Sequence, residues 1–321
     1  NATYARVQQD TRTPNFFERA LRSMNVSYAV ADADLRRIPR EGPLMVVSNH
    51  PFGGVDGVVL GALLTSVRAD ALFMVNYLLG TMPEMKPWLI EVDPFETNAS
   101  ARANIQPMKR ALAHLKAGNC IITFPSGTVS HWNWQRRAVT DPAWNVNVAR
   151  LVQKTKATVL PVFVEGRNSL LFHLAGILFG PMGRTALLGR EMVQRQGKTV
   201  RVKIGSPLSA RKLADYTDPQ ELTEYLRLNT YILRNRTESG GARHVSFPSV
   251  RPAASRQNLP LANPVPTDLL RAEIDRLAPE RELLEHEPFA VYLTTTTETP
   301  GILEEIGRLR EKTFRAVGEG T

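Results

Sequence analysis

Short apolar runs recur through the first two-thirds of the chain, each closed by turn-forming residues. They are PLMVVSN (43–49), ALFMVN (71–76), WLIEVD (88–93), CIITFP (120–125), TVLPVFVEG (158–166) and TVRVKIG (199–205). Runs of this length, rich in β-branched residues, predict buried strands. Between them apolar positions recur at helical spacing over 56–68, over 99–117 with Ile105, Met108, Leu112 and Leu115 on one face, and over 145–156. A longer helical pattern covers 218–236 through Leu222, Tyr225, Leu226, Asn229, Ile232 and Leu233. Strands alternating with helices predict an α/β domain, a largely parallel central sheet flanked by helices.

From Glu238 to Pro266 the periodicity gives way to Gly, Ser, Asn and Pro. The pattern predicts a domain over 1–237, a linker over 238–266 and the start of a second, incomplete domain over 267–321. That last part carries a helix (267–277), a strand (289–296) and a helix (301–317), too few elements for a core of their own. The chain begins at Asn1 with neither a methionine nor a signal-peptide pattern, and is expected to be part of a longer protein.

Composition adds partners. A net charge of +9 draws anionic lipid, nucleic acid or acidic carrier molecules. Nucleic acid is not expected, because the basic residues are scattered rather than interleaved with aromatics. No stretch reaches the roughly 18 apolar residues of a membrane span. The apolar segment SLLFHLAGILFG (169–180) suits a buried helix or an interfacial element that dips into lipid. The single cysteine, Cys120, rules out an internal disulfide and fits a reducing compartment.

The candidate chemistry begins in SNHPFGGVDG (48–57), where a strand ends and a helix begins. Ligands of open α/β sheets bind at that edge. His50 stands there, and Asp56 at the next helix start could turn its carboxylate back to fix the imidazole tautomer. The alternative is that Asp56 only caps the helix, that Gly53 and Gly54 only make a turn, and that His50 is an ordinary loop residue. Ser126 and Ser130 lie in no nucleophile elbow, and His114 and His131 are expected to be structural. No metal-ligand spacing is present, so no metal site is expected.

The stretch resembles the His-x4-Asp signature of the glycerolipid acyltransferase family, the lysophosphatidic acid acyltransferase type. FPSGTVS (124–130) is similar to that family's Phe-Pro-Glu-Gly-Thr-Arg-Ser block, and VLPVFVEG (159–166) to its closing strand. VNYLLGTMPEMKPWLIEVDP lies in the place of the second block, and the resemblance runs over residues 25–240. The departures are specific. Five residues separate His50 from Asp56, Ser126 replaces the usual Glu, Val129 the usual Arg, and Asp93-Pro94 stands where the second block carries Arg. Arg pairs and their carboxylate are what holds a phosphate dianion, so an acceptor without phosphate is expected.

NHPFGGVDG, FPSGTVS and GRNSLLFHLAGILFGPMGRTALLGREM together resemble a bacterial branch often labelled hemolysin. Its relatives O-acylate lyso-ornithine or lyso-glycine lipids, some carrying an acetyltransferase-like N-acyltransferase domain downstream. ILEEIGRLREKTFRAVGEGT resembles the first helix of that domain.

The resemblance implies that His50, held by Asp56, deprotonates the hydroxyl of a lyso-lipid as it attacks an acyl thioester of acyl carrier protein or coenzyme A, with no cofactor. Asn49, Gly53, Gly54, Phe124, Pro125, Ser126, Gly127 and Thr128 would line the substrate site, and Arg167, Arg184 or Arg190 would meet an anionic acceptor or carrier. The backbone near Gly127 and Thr128, or the Gly53-Gly54 turn, would hold the oxyanion. The protein would sit peripherally on an anionic membrane, at the cytoplasmic face of a bacterial inner membrane. Lysophosphatidic acid acylation, thioester hydrolysis and a non-catalytic, hemolysin-like membrane protein stay open as alternatives.

Overall fold

The computed structural model describes residues 15–76, 83–93, 102–237, 242–245, 260–286 and 289–316. It divides into two compact units, residues 1–250 and 251–321.

In the first unit α1 (Phe16–Met24) starts where the Asn15 side chain accepts the Phe17 and Glu18 N–H groups, and ends at Asn25 in the left-handed conformation. β1 (Ser27–Ala31), β2 (Leu44–Ser48), α2 (Gly54–Thr65), β3 (Leu72–Asn76) and β4 (Leu89–Val92) follow. Then come α3 (Ile105–Lys116), β5 (Cys120–Thr123), a hairpin of β6 (His131–Asn133) and β7 (Ala138–Thr140), α4 (Asn147–Thr155) and β8 (Thr158–Val164). α5 (Leu170–Val193), β9 (Thr199–Ile204), α6 (Pro219–Ile232) and β10 (Ala242–Val245) complete it. All the predicted strands formed, and so did helices close to the predicted bounds.

The main sheet runs β10-β1-β9-β8-β2-β5-β3-β4. β2 pairs parallel with β5 and β8, β3 parallel with β4 and β5, and β1 parallel with β9. Only β8–β9 and β1–β10 are antiparallel, so the sheet is largely parallel as the alternating pattern implied.

β2 has every residue buried because it lies between two layers. Leu44 and Val46 pack toward α1 and α2 with Phe17, Leu60 and Leu64. Met45 and Val47 pack on the other face toward α3, α4 and α6, with Leu115, Val152 and Leu222. Each such side chain removed from water contributes about 1.5–3 kcal/mol, which holds the C-terminal end of β2 rigidly in the sheet.

Two expectations change. Residues 242–245, inside the expected linker, form edge strand β10, with Val245 opposite Tyr28. The apolar element expected over 169–180 is the start of α5, a helix of 24 residues. Among the described residues no helix is long and apolar enough to cross a membrane.

The second unit contains α7 (Thr267–Asp275), β11 (Glu282–His286) paired antiparallel with β12 (Phe289–Tyr292), and α8 (Pro300–Ala316). The Glu273 carboxylate accepts the N–H groups of Gly301 and Ile302 at 2.8 and 2.9 Å, so α7 caps the first turn of α8.

Candidate active site at the C-terminal edge of the sheet

β2 delivers Asn49 and His50 to the sheet edge. Asn49 is 3% exposed, and its amide is used on both sides by Val164: Nδ2 donates to the carbonyl at 2.9 Å and Oδ1 accepts the N–H at 2.7 Å. Asn49 therefore clamps the end of β2 to the end of β8.

His50 Nδ1 lies 3.1 Å from Asp56 Oδ2. The extra residue in the loop is absorbed at Gly53, whose φ of 75° and ψ of −126° suit glycine alone. A Cβ there would also meet Leu188 at 3.2 Å and Val129 at 3.3 Å. Asp56 is fully buried, and the same Oδ2 accepts the N–H groups of Phe52 (2.8 Å) and Gly53 (3.1 Å). The group that caps the helix is thus the one that faces His50. The imidazole N–H is not well aligned with the contact: Nδ1 makes no hydrogen bond of good geometry, and Asp56 Oδ1 has no partner. Burial pushes the Asp56 carboxyl above its ordinary value, against the opposing pull of His50 and the two N–H groups.

Phe124, the first residue after β5, stacks on His50 with ring centroids 4.0 Å apart and planes 25° apart. Behind the histidine stands a second buried carboxylate that sequence reasoning missed. Asp141, 1% exposed, accepts the His50 N–H at 3.2 Å, the Ser130 hydroxyl and Trp144 Nε1 at 3.0 Å. Its own N–H donates to the Tyr231 hydroxyl at 2.8 Å, and Arg227 donates to its carbonyl at 3.1 Å. The Ser130 N–H closes the loop onto the His50 carbonyl at 2.8 Å. Asp141 lies 91 positions from His50, so no local motif joins them.

A sequence model described as Acyltransferase matches residues 5–240. The chain belongs to this acyltransferase family. Two curated relatives are each 27% identical over 205 residues, covering 62% of this chain: lyso-glycine lipid O-acyltransferases of Phocaeicola vulgatus, with 71% of its length covered, and of Bacteroides thetaiotaomicron, with 73%. The crystal structure of the 1-acyl-sn-glycerophosphate acyltransferase PlsC from Thermotoga maritima overlays with a TM-score of 0.43 at 17% identity, over 74% of this chain and 89% of that one.

An acyltransferase needs a base, a place for the oxyanion and room for two substrates. Within the turn after β5, the Gly127 N–H already donates to the Phe124 carbonyl at 3.0 Å, as the Gly53 N–H does to Asp56. The Gly127 and Gly53 N–H groups are therefore already paired. Pro125 is buried, Gly127 and Thr128 are exposed, and the Ser126 hydroxyl donates to the Thr128 carbonyl at 2.8 Å, a turn bond rather than a nucleophile's geometry. Val129 is 8% exposed and packs by Gly53 and Leu188, so the position that carries Arg in the resembled block is apolar here. Asp93 is clamped through its backbone by Asn104, at 2.7 and 2.8 Å. Pro94 lies outside the described residues.

Arg167 and Arg190 are exposed, Arg167 on a cavity at the start of α5; the side chain of Arg184 lies outside the described residues. Among the described residues no cluster of three His, Cys, Asp or Glu side chains is placed to hold a metal. His114 Nε2 contacts the Asp70 carbonyl at 2.8 Å and His131 Nδ1 the Val129 carbonyl at 3.1 Å, both contacts to the backbone. Cys120 is buried and its thiol is pushed up to about 12 by desolvation, which makes it inert.

Proposed function

We propose that this acyltransferase moves an acyl group from a thioester, of acyl carrier protein or coenzyme A, to the hydroxyl of a lyso-lipid. The acceptor class we favour is a lyso amino-acid lipid of the glycine or ornithine type. The observation that carries the reading is the contact of His50 Nδ1 with the buried Asp56 at the ligand-binding edge of the sheet. With Nδ1 turned to Asp56, Nε2 on the opposite side of the ring is the atom that works. It takes the hydroxyl proton as the oxygen attacks the thioester carbonyl, and Asp56 stabilises the imidazolium. The N–H groups of Thr128 and Gly54 receive the oxyanion. As the tetrahedral species collapses the C–S bond breaks, and the imidazolium gives its proton to the leaving thiolate. Hydroxyl and thioester become ester and thiol, and the balance needs no cofactor.

The acceptor class rests on two supports: the relatives named for lyso-glycine lipid, and the apolar Val129 where an arginine would serve a phosphate. A desolvated phosphate dianion without such a partner carries a large penalty.

Membrane association follows from charge plus exposed apolar groups. Leu170 (75% exposed), Leu171 and Leu174 open α5, and Trp134 (70% exposed) tips the β6–β7 hairpin beside Arg136 and Arg137. We read this as a peripheral, reversible contact with an anionic membrane at the cytoplasmic face.

The deciding experiment measures thiol release and lipid products with both donors and three acceptors: lyso-glycine lipid, lyso-ornithine lipid and lysophosphatidic acid. Ester formed fastest on an amino-acid lipid, and abolished in His50→Ala, is the expected result. Preference for lysophosphatidic acid would return the chain to phospholipid synthesis. Thiol release that needs no acceptor would make it a thioesterase.

A further inference from the structure

The end of α5 touches the loop that carries His50 and Asp56, in contacts the proposed chemistry does not use. Glu191, near that end and 2% exposed, accepts the N–H of Ser169 at 2.8 Å and the Ser169 hydroxyl, both at the helix start. These residues are 22 positions apart, and a straight helix would separate them by about 33 Å. The element therefore bends back on itself and returns its end to its start.

The returned end meets the loop at two residues. A Cβ at Gly53 would stand 3.2 Å from the Leu188 side chain, so Leu188 packs on that turn. Arg195, just past the helix end, lays its guanidinium over the Phe52 ring, 3.8 Å from the centroid. One of its N–H groups donates to the Arg167 carbonyl, which fixes it there. Phe52 is 4% exposed, and the tip of its ring fills the space at Gly166, where a Cβ would stand 2.2 Å from it. The ring is thus covered on its face by Arg195 and blocked at its tip by Gly166.

Phe52 is also one of the residues that hold Asp56, since its N–H donates to Oδ2 at 2.8 Å. Asp56 is fully buried, burial favours its neutral form, and a neutral carboxyl cannot stabilise an imidazolium. His50 faces Asp56 on one side, and Asp141 holds the His50 N–H from another element. Arg195 is attracted by Asp56 across the loop and by Glu191 on its own element, and these two charges oppose the lowering of its pKa by burial. Arg167 and Lys198, the other cations nearby, are exposed.

We propose that Arg195 is a positioning residue for the His50–Asp56 pair: stacked on Phe52, it fixes the loop that presents Asp56 and supplies the positive charge that keeps this buried carboxylate ionised. It acts through Phe52 and Asp56 and touches no reacting atom. This rests on the reading of His50 as the base and adds the group that supports its partner.

The test compares two variants of the full chain. Arg195→Gln keeps a planar N–H donor and removes the charge, whereas Arg195→Lys keeps the charge and loses the planar stack. Removing a cation raises the proton affinity of a nearby carboxylate or imidazole, so the acid limb of the kcat/KM profile should move up by about half a pH unit or more in Arg195→Gln. Below that limb turnover falls about threefold or more. In Arg195→Lys the limb should stay near its wild-type place. Without any substrate, NMR of isotope-labelled aspartate follows the Asp56 carboxyl, assigned by its loss in Asp56→Asn, and the same upward shift is expected. An Asp56 titration that stays put in Arg195→Gln overturns the proposal, whatever happens to turnover or melting temperature, and leaves Arg195 a packing residue. An equal shift in Lys198→Ala also overturns it, because general surface charge would then be the cause. Absence of turnover with any lyso-lipid, alongside an Asp56 titration that moves in Arg195→Gln and not in Arg195→Lys, counts against the transferase reading and upholds the coupling.

Discussion

Asp56→Asn separates catalysis from stability at one atom. In the proposed mechanism the imidazolium of the transition state lies against Asp56 Oδ2, with 3.1 Å from Nδ1 to the oxygen. At an effective dielectric constant near 20, unit charges at that distance attract by about 5 kcal/mol. Spreading the imidazolium charge over its ring leaves about 2.5–5 kcal/mol, equivalent to a fall in kcat of about 10² to 10⁴. Stability should move the other way or not at all. The Asp56 carboxyl is raised by burial, so its protonation stabilises the fold fully below the unfolded pKa, and that contribution is lost as pH rises through the folded value. At neutral pH the buried charge is a cost. The amide keeps an oxygen for the Phe52 and Gly53 N–H groups, and its NH2 occupies the place of the already unpartnered Oδ1. The assay is thiol release at saturating substrates, paired with urea unfolding from pH 4 to 8. The expected result is a crippled enzyme of equal or higher stability, whose advantage over the wild type grows as pH rises from 4. A kcat within threefold of the wild type, with the fold intact, would refute the reasoning and leave Asp56 a helix cap.

Gly53→Ala forces a side chain into positive φ against Leu188 and Val129, and urea unfolding should show a loss of about 1–3 kcal/mol together with lower turnover. Asp141→Asn weakens the buried hydrogen bonds that hold the His50 backbone; about 1–3 kcal/mol of stability should go, and kcat should fall while the donor KM stays put. Replacing Leu170, Leu171 and Trp134 by serine should release the protein from anionic vesicles in sedimentation, and raising salt should do the same to the wild type, since charge and shallow insertion act together. The native protein should keep full activity after iodoacetamide, because the Cys120 thiol is buried and pushed up to about 12.

The strands around the site were legible because β2, β5 and β8 are buried on both faces and therefore read as unbroken apolar runs. β1 (SYAVA) and β10 (ARHV) carry small or polar residues with little contrast, so pairing rather than composition makes them strands. His50 and Phe124 came from motifs because each directly follows a strand end, and Asp56 because it lies in the first turn of the helix that follows. Asp141 did not: it reaches the site through contacts made only after folding, and nothing in its neighbours marks it. The tie of the Asn49 amide to Val164, 115 positions away, was hidden in the same way.

The Phe124 ring that lies 4.0 Å from His50 closes one face of the imidazole with hydrocarbon. The proposed base is therefore handed. A secondary alcohol that brings its oxygen to Nε2 must turn one substituent of its carbinol carbon toward that ring and the other away from it. Mirror-image acceptors set different groups against the same aromatic wall, so a racemic 3-hydroxyacyl lipid would be resolved by an apolar surface, without any polar contact to the stereocentre.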